Sequence, residues 1–236
     1  MKKVKFIDLF AGLGGLRLGF EEAFKAKGIE TECVLTSEIK PSAIKALNKN
    51  FEHKKLVGDI CEIDANSLED FDFLLAGFPC QPFSQAGLHK GFSDTRGTLF
   101  FDIERIISEK RPKAFLLENV KQLKGHDNGR TYWVIEEHLR ALDYSVSSAV
   151  LRAGDFGVPQ NRERIYIVGF DKRYYNIRGE YEFKFPVPPK TKTCLGDILE
   201  KKVDPKYTIS ERLYEGHKRR KEEHKRKGNG FGYSLF

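Results

Sequence analysis

The chain has 236 residues, 40% apolar and 32% charged, with a formal net charge of +7. That length can bury a core without covalent staples, no apolar run approaches the ~18 residues of a membrane span, and the opening MKKVKFIDLF reads as a strand rather than a secretory leader. Cys33, Cys61, Cys80 and Cys194 include no C-x-x-C pair, which argues against a disulfide framework or a zinc site. The expectation is a cytoplasmic protein with no metal and no membrane contact.

Through the first half, short β-branched runs alternate with segments of helical spacing, the pattern of βαβ units around a mostly parallel sheet. Strands are predicted at about 4–10, 32–37, 55–57, 72–77 and 113–118, and helices over Leu16–Lys27, Pro41–Phe51 and Leu99–Glu109. A helix near Tyr132–Leu142 precedes two strands, Tyr144–Leu151 and Arg164–Phe170, which the Gly154–Arg162 loop joins as an antiparallel pair. Prolines at 186, 188 and 189 make Phe185–Lys192 an extended boundary segment. Beyond it one helix is predicted, roughly Glu211–Lys227, with Ser210 as N-cap and Gly228 as terminator. Within it, His217–Lys227 carries seven Lys or Arg against two Glu, which accounts for most of the net charge.

The strand ends hold the chemistry. The first strand runs into Phe10-Ala-Gly-Leu-Gly-Gly, so backbone amides around Gly12 and Gly14 and the positive end of the next helix face any ligand there. This is not the G-x-G-x-x-G pattern, and a plain tight turn is the competing reading. The second strand ends at Glu38, suited to ribose hydroxyls, and the third at Gly58-Asp59-Ile60, suited to an adenine amino group. Together they point to an adenosine-bearing cofactor. The fourth ends in Phe78-Pro79-Cys80-Gln81-Pro82-Phe83-Ser84, where two prolines stiffen the backbone and present the Cys80 thiol. The other cysteines read as small core hydrophobes. The fifth runs into Glu118-Asn119-Val120. Partial burial there would raise the Glu118 carboxyl pKa and fit it to hold or deliver a proton near neutral pH, with a helix N-cap as the alternative. Before the last strand, Arg162 and Arg164 alternate onto one face, placed to orient a thiolate or a base carbonyl, or else form a solvated charge cluster.

In this order and spacing, FIDLFAGLGG, GFPCQPFS, LLENV and QNRERIYIVGF, with SE at 37–38, GDI at 58–60 and RGTLFFDI at 96–103, resemble the bacterial cytosine carbon-5 DNA methyltransferases. The resemblance covers residues 4–170. It implies an α/β fold, the doubly wound, mostly parallel methyltransferase sheet with a terminal antiparallel strand pair. It also implies S-adenosylmethionine as methyl donor, S-adenosylhomocysteine as product, and double-stranded DNA as substrate. It maps Phe10, Glu38, Asp59, Ile60, Pro79 and Leu99 onto cofactor contacts, and Cys80, Glu118, Arg162 and Arg164 onto catalysis. Gln81, Ser84 and the Gly87–Thr98 stretch with Arg96 match a loop that closes over DNA. Ile39 departs from an aromatic that stacks on adenine in some members.

The resulting organisation is a catalytic and cofactor-binding domain over 1–184, a linker over 185–206 and the opening of a target-recognition region over 207–236, with Lys218 and Arg219 expected on phosphates. The chain stops before the family's last two motifs, which leads to the expectation of a truncated product or one half of a two-chain enzyme completed by a second polypeptide. Two rival functions remain: a transfer-RNA cytosine-5 methyltransferase with the same chemistry, and an incomplete subunit inactive without a partner.

Overall fold

Val4–Leu9 (β1), Thr31–Ser37 (β2), Leu56–Val57 (β3), Phe73–Gly77 (β4), Ala114–Val120 (β5), Tyr144–Arg152 (β6) and Glu163–Asp171 (β7) form one sheet in the order β3-β2-β1-β4-β5-β7-β6. The computed structural model describes residues 3–79, 99–189 and 191–229. They fall into two compact units, 1–152 with 162–187, and 153–161 with 188–236. The sheet belongs to the first. Its central strands are near-continuous apolar runs because both faces are covered, as parallel sheets require. β1 to β5 pair in parallel, whereas β7 runs antiparallel to both β5 and β6.

The crossover helices are α1 (Gly15–Lys25), α2 (Pro41–Asn50), α3 (Phe100–Lys110) and α4 (Arg130–Ala141), and a single turn, α5 (Lys172–Tyr175), follows β7. On one face Ile7, Leu9, Leu74, Ala76 and Leu117 join Ile103 and Ile107 of α3 and Ile135 and Leu139 of α4 in the main core. On the other, Phe6, Cys33 and Leu75 pack with Phe20 of α1. Asp8 follows Phe6 on this second face, beside Leu75 of β4, and is fully buried. Strand order reverses between β1 and β4, which makes their carboxyl ends the ligand edge of such a sheet.

Residues 181–183 are held against β6 by two serine side chains. Ser145 Oγ donates to the Tyr181 carbonyl at 2.9 Å and accepts from the Tyr181 N–H at 2.6 Å, and Ser147 Oγ accepts from the Phe183 N–H at 3.0 Å. The Tyr181 and Phe183 rings pack on Phe170 of β7.

The second unit contains α6 (Glu211–Arg226). Ser210 caps it by accepting from the Leu213 N–H at 3.4 Å, and Gly228, at φ 71°, follows its end as expected. The doubly wound fold with its terminal antiparallel pair agrees with the expectation. One strand differs: β5 runs to Val120, so Glu118 sits inside the strand rather than at its end. The cause is β7, which pairs along β5 through Val120 and Arg164 and keeps the ladder going.

Candidate active site

After β1 the chain turns sharply. Phe10 takes φ 54°, Gly12 φ 57° and Gly14 φ 82°, and the Gly14 N–H closes the turn on the Ala11 carbonyl at 2.8 Å. A Cβ on Gly14 would lie 2.3 Å from the Phe51 ring, so this position needs glycine for space as well as for φ. Glu38 is not a free acceptor: its Oε2 takes the Gly12 N–H at 2.7 Å and its Oε1 the Lys40 N–H at 2.8 Å. These bonds lock the second strand end to the glycine turn while leaving carboxylate lone pairs for a ligand. Leu13 and Ile39 flank this acid, each 70% exposed. Asp59 accepts from the Cys61 N–H at 3.0 Å and so caps the turn that carries the buried Ile60. Arg105 of α3 holds that turn through the Ile63 and Ile60 carbonyls at 2.7 and 3.2 Å. Leu99 packs against the main core at the start of α3, and Pro79 is exposed just beyond β4.

β1, β4 and β5 meet at Gly77. A Cβ there would be 3.7 Å from both Glu118 Oε2 and the Phe10 carbonyl. Glu118 pairs with Gly77 on one side and Tyr166 on the other. Arg164 Nε lies 3.0 Å and Arg162 Nη2 3.3 Å from Glu118 Oε1, so both arginines converge on one carboxylate. The sequence placed them on one face; it did not reveal Glu118 as their shared partner. Asn119, fully buried, donates from Nδ2 to the Phe78 carbonyl at 2.9 Å and fixes the chain entering Pro79. Cys80, Gln81, Ser84 and Arg96 lie outside the described residues.

Burial pushes the Cys33 thiol up to about 11, and burial with bonds to Asp102 and Asp59 pushes Cys61 up to about 12. Both are therefore protonated near neutral pH and poor nucleophiles. Sequence reasoning missed a buried polar group beneath the turn. Burial raises Asp8 to about 7, against the attraction of Arg17 and helped by repulsion from Glu21 and Glu38. Arg17 of α1 is itself buried, donates from Nε to Glu21 at 2.7 Å and from Nη2 to the Glu52 carbonyl at 2.9 Å, and lies 4.5 Å over the Phe51 ring. Both residues read in sequence as ordinary members of a strand and a helix. In the second unit, Lys218 bonds Glu215 at 2.8 Å and approaches the Tyr214 ring, while Arg219 lies on the exposed side of α6.

Among the described residues no group of His, Cys, Asp and Glu is arranged to hold a metal, and no helix is long and apolar enough to cross a membrane. The Type II methyltransferase M.NlaX of Neisseria lactamica is 56% identical over 98% of this chain and 71% of that protein. M1.ScrFI of Lactococcus lactis subsp. cremoris is 57% identical over 99% of this chain and 58% of that protein. The chain thus spans 58–71% of the length of these two relatives. A solved structure of DNMT2 from Spodoptera frugiperda shares the fold, with TM-score 0.68 at 24% identity, covering 92% of this chain and 65% of that one. The family model for C-5 cytosine-specific DNA methylases matches residues 4–236. With the reversed strand order, the glycine turn and the Glu118 cluster beside it, that match makes the chain a member of the C-5 cytosine-specific DNA methylase family.

Proposed function

We propose that this chain carries the catalytic part of a DNA cytosine-5 methyltransferase of a restriction-modification system, with S-adenosylmethionine as methyl donor. The observation that carries the reading is the meeting at Gly77, where the Glu118 carboxylate and the Phe10 carbonyl come within a few ångströms of one position. An acid for the base and a turn for the cofactor thus share one edge. The residues suit an adenosine-bearing cation: Gly12 and Gly14 permit close backbone approach, Glu38 and Asp59 offer carboxylates to hydroxyl and amino groups, and Leu13, Ile39 and Ile60 offer apolar surface. When bound, S-adenosylmethionine supplies an electrophilic methyl group on a sulfonium sulfur.

Cytosine carbon 5 is a weak nucleophile and is buried in the duplex, so the target base has to be flipped out of the stack. The Cys80 thiolate adds to ring carbon 6 while Glu118 holds a proton on ring nitrogen 3, which pushes electron density onto carbon 5. Arg162 and Arg164 keep the Glu118 carboxylate aimed at the base. After methylation, loss of the carbon-5 proton and departure of the Cys80 sulfur restore the aromatic ring. Relatives named Type II methyltransferases favour DNA over transfer RNA as the substrate.

The test is a duplex containing 5-fluorocytosine, whose fluorine blocks the final proton loss. The protein should give a complex that survives denaturant, and Cys80→Ser should give none while keeping its circular dichroism spectrum. Adduct formation by the Ser variant would remove Cys80 from the mechanism.

A further inference from the structure

Phe10, Gly12 and Gly14 of the turn after β1 all take positive φ, and Phe10 has no glycine's freedom to do so. A turn of this kind persists only where its surroundings hold it. Glu38 holds it at the Gly12 N–H. A second support lies at Gly14, where the ring of Phe51, the residue after α2, packs so close that a Cβ would sit 2.3 Å from Cε2 and 2.7 Å from Cζ. That ring carries the guanidinium of Arg17, from the first turn of α1, 4.5 Å from its centroid. Arg17 is 5% exposed; its Nη2 donates at 2.9 Å to the carbonyl of Glu52, next in the chain to Phe51, and its Nε donates to Glu21 at 2.7 Å. The same guanidinium lies 5.9 Å from the Phe6 ring of β1. One buried cation therefore joins β1, α1 and the segment after α2 around the glycine turn. An apolar side chain would fill this space without the desolvation penalty of a charge, so the guanidinium has more to do than fill it.

We infer that Arg17 and Phe51 are positioning residues for the cofactor, the guanidinium clamping the Phe51 ring against Gly14 so that the glycine turn keeps its binding shape before any ligand arrives. This rests on the reading that the turn holds S-adenosylmethionine. A site already in its bound shape does not have to be ordered by the ligand, and affinity is higher by that difference. Arginine suits the task, because its planar group stacks on the ring while its fork reaches the neighbouring carbonyl. Both side chains act through the turn rather than on the ligand. The effect therefore reaches S-adenosylmethionine and S-adenosylhomocysteine alike, since the two share every part except the methyl group and the charge on sulfur.

Calorimetric titration of the full chain with both ligands, joined to amide hydrogen exchange of the ligand-free protein, tests this. Arg17→Met and Phe51→Leu should each raise both Kd values by one common factor, roughly three- to thirtyfold, the scale of coupling between residues in contact. The double variant should lose little beyond the weaker-binding single variant, because both changes cut one route. Exchange should quicken at the Gly12 and Gly14 amides ahead of those of β4 and β5, a local loosening that a role in global stability would not produce. Unchanged affinity in both single variants, losses that multiply in the double variant, or exchange that quickens equally along the sheet would each overturn the inference. Should Arg17→Met fail to fold by circular dichroism, Phe51→Leu decides through its affinities and its exchange. Wild-type protein that binds neither ligand rejects the reading of the turn itself, whereas wild-type binding beside unaffected variants rejects only the role of Arg17 and Phe51.

Discussion

Two guanidinium groups converge on one oxygen of Glu118, while the other oxygen faces Gly77 and the first strand end. A carboxylate held in this way keeps its direction when a base arrives, and positioned acids or bases contribute about two to four orders of magnitude in rate. Glu118→Gln keeps the shape and loses the ability to exchange a proton, so single-turnover methylation should fall at least ~100-fold with cofactor affinity little changed. A rate within a few-fold of wild type would leave Glu118 only a structural part. At this scale the sequence was readable where alternation sufficed, as for Arg162 and Arg164. It was silent where a contact depends on how separate strands align: the bond from Asn119 to the Phe78 carbonyl joins residues 41 positions apart. It was equally silent on Asp8 and Arg17, whose burial follows from the packing of α1 over β1.

Elements were the most legible level, because hydrophobic period and turn residues act locally. All seven strands among the described residues lie within a few residues of their predicted spans, and the one material difference, the longer β5, came from its antiparallel partner. The exposed helix α6 shows what period alone leaves open. Its Lys218, Arg219, Lys225 and Arg226 face solvent, which suits either a phosphate-binding surface or a merely hydrated one. Phosphate contacts position a protein without reading sequence and make its affinity depend on salt. Changing these four residues to Gln should flatten the plot of log affinity for duplex DNA against log salt, by up to about 0.9 for each phosphate that the helix then fails to neutralise. The same slope in the variant would assign the helix to solvent.

For the whole molecule, titration links the buried interior to stability. Asp8 is raised from 3.8 in the unfolded chain to about 7 in the folded one, so the native state holds this proton more tightly. Its contribution is fully present below about pH 4 and is lost as pH rises to about 7, at ~1.4 kcal/mol for each pH unit between the two ionisations. Glu69, held down to about 2 by Lys5 and Lys54, acts in the opposite sense in a separate window, losing its contribution as pH falls from about 4.5 toward 2. Thermal melts from pH 4 to 7 should therefore show a downward drift in Tm that Asp8→Asn removes, and a drift unaffected by this change would place its origin elsewhere. The serine hydroxyls on β6 bear on a different property of the molecule, its behaviour toward its own copies. A sheet that ends in a nine-residue strand offers a template for another chain's backbone, and here side-chain hydroxyls of that strand hold the backbone of residues 181–183 beside it, with no backbone ladder between them among the bonds of the described residues. The segment is held by these hydroxyls, by the ion pairs of Glu180 with Arg140 and Lys172 and by the rings on Phe170, rather than by a continuous ladder. Ser145→Ala with Ser147→Ala should leave the protein folded in dilute solution yet produce light scattering that grows steeply with concentration, and a double variant as clear as wild type would mean that the Glu180 ion pairs and the aromatic contacts with Phe170 suffice to keep neighbouring molecules apart.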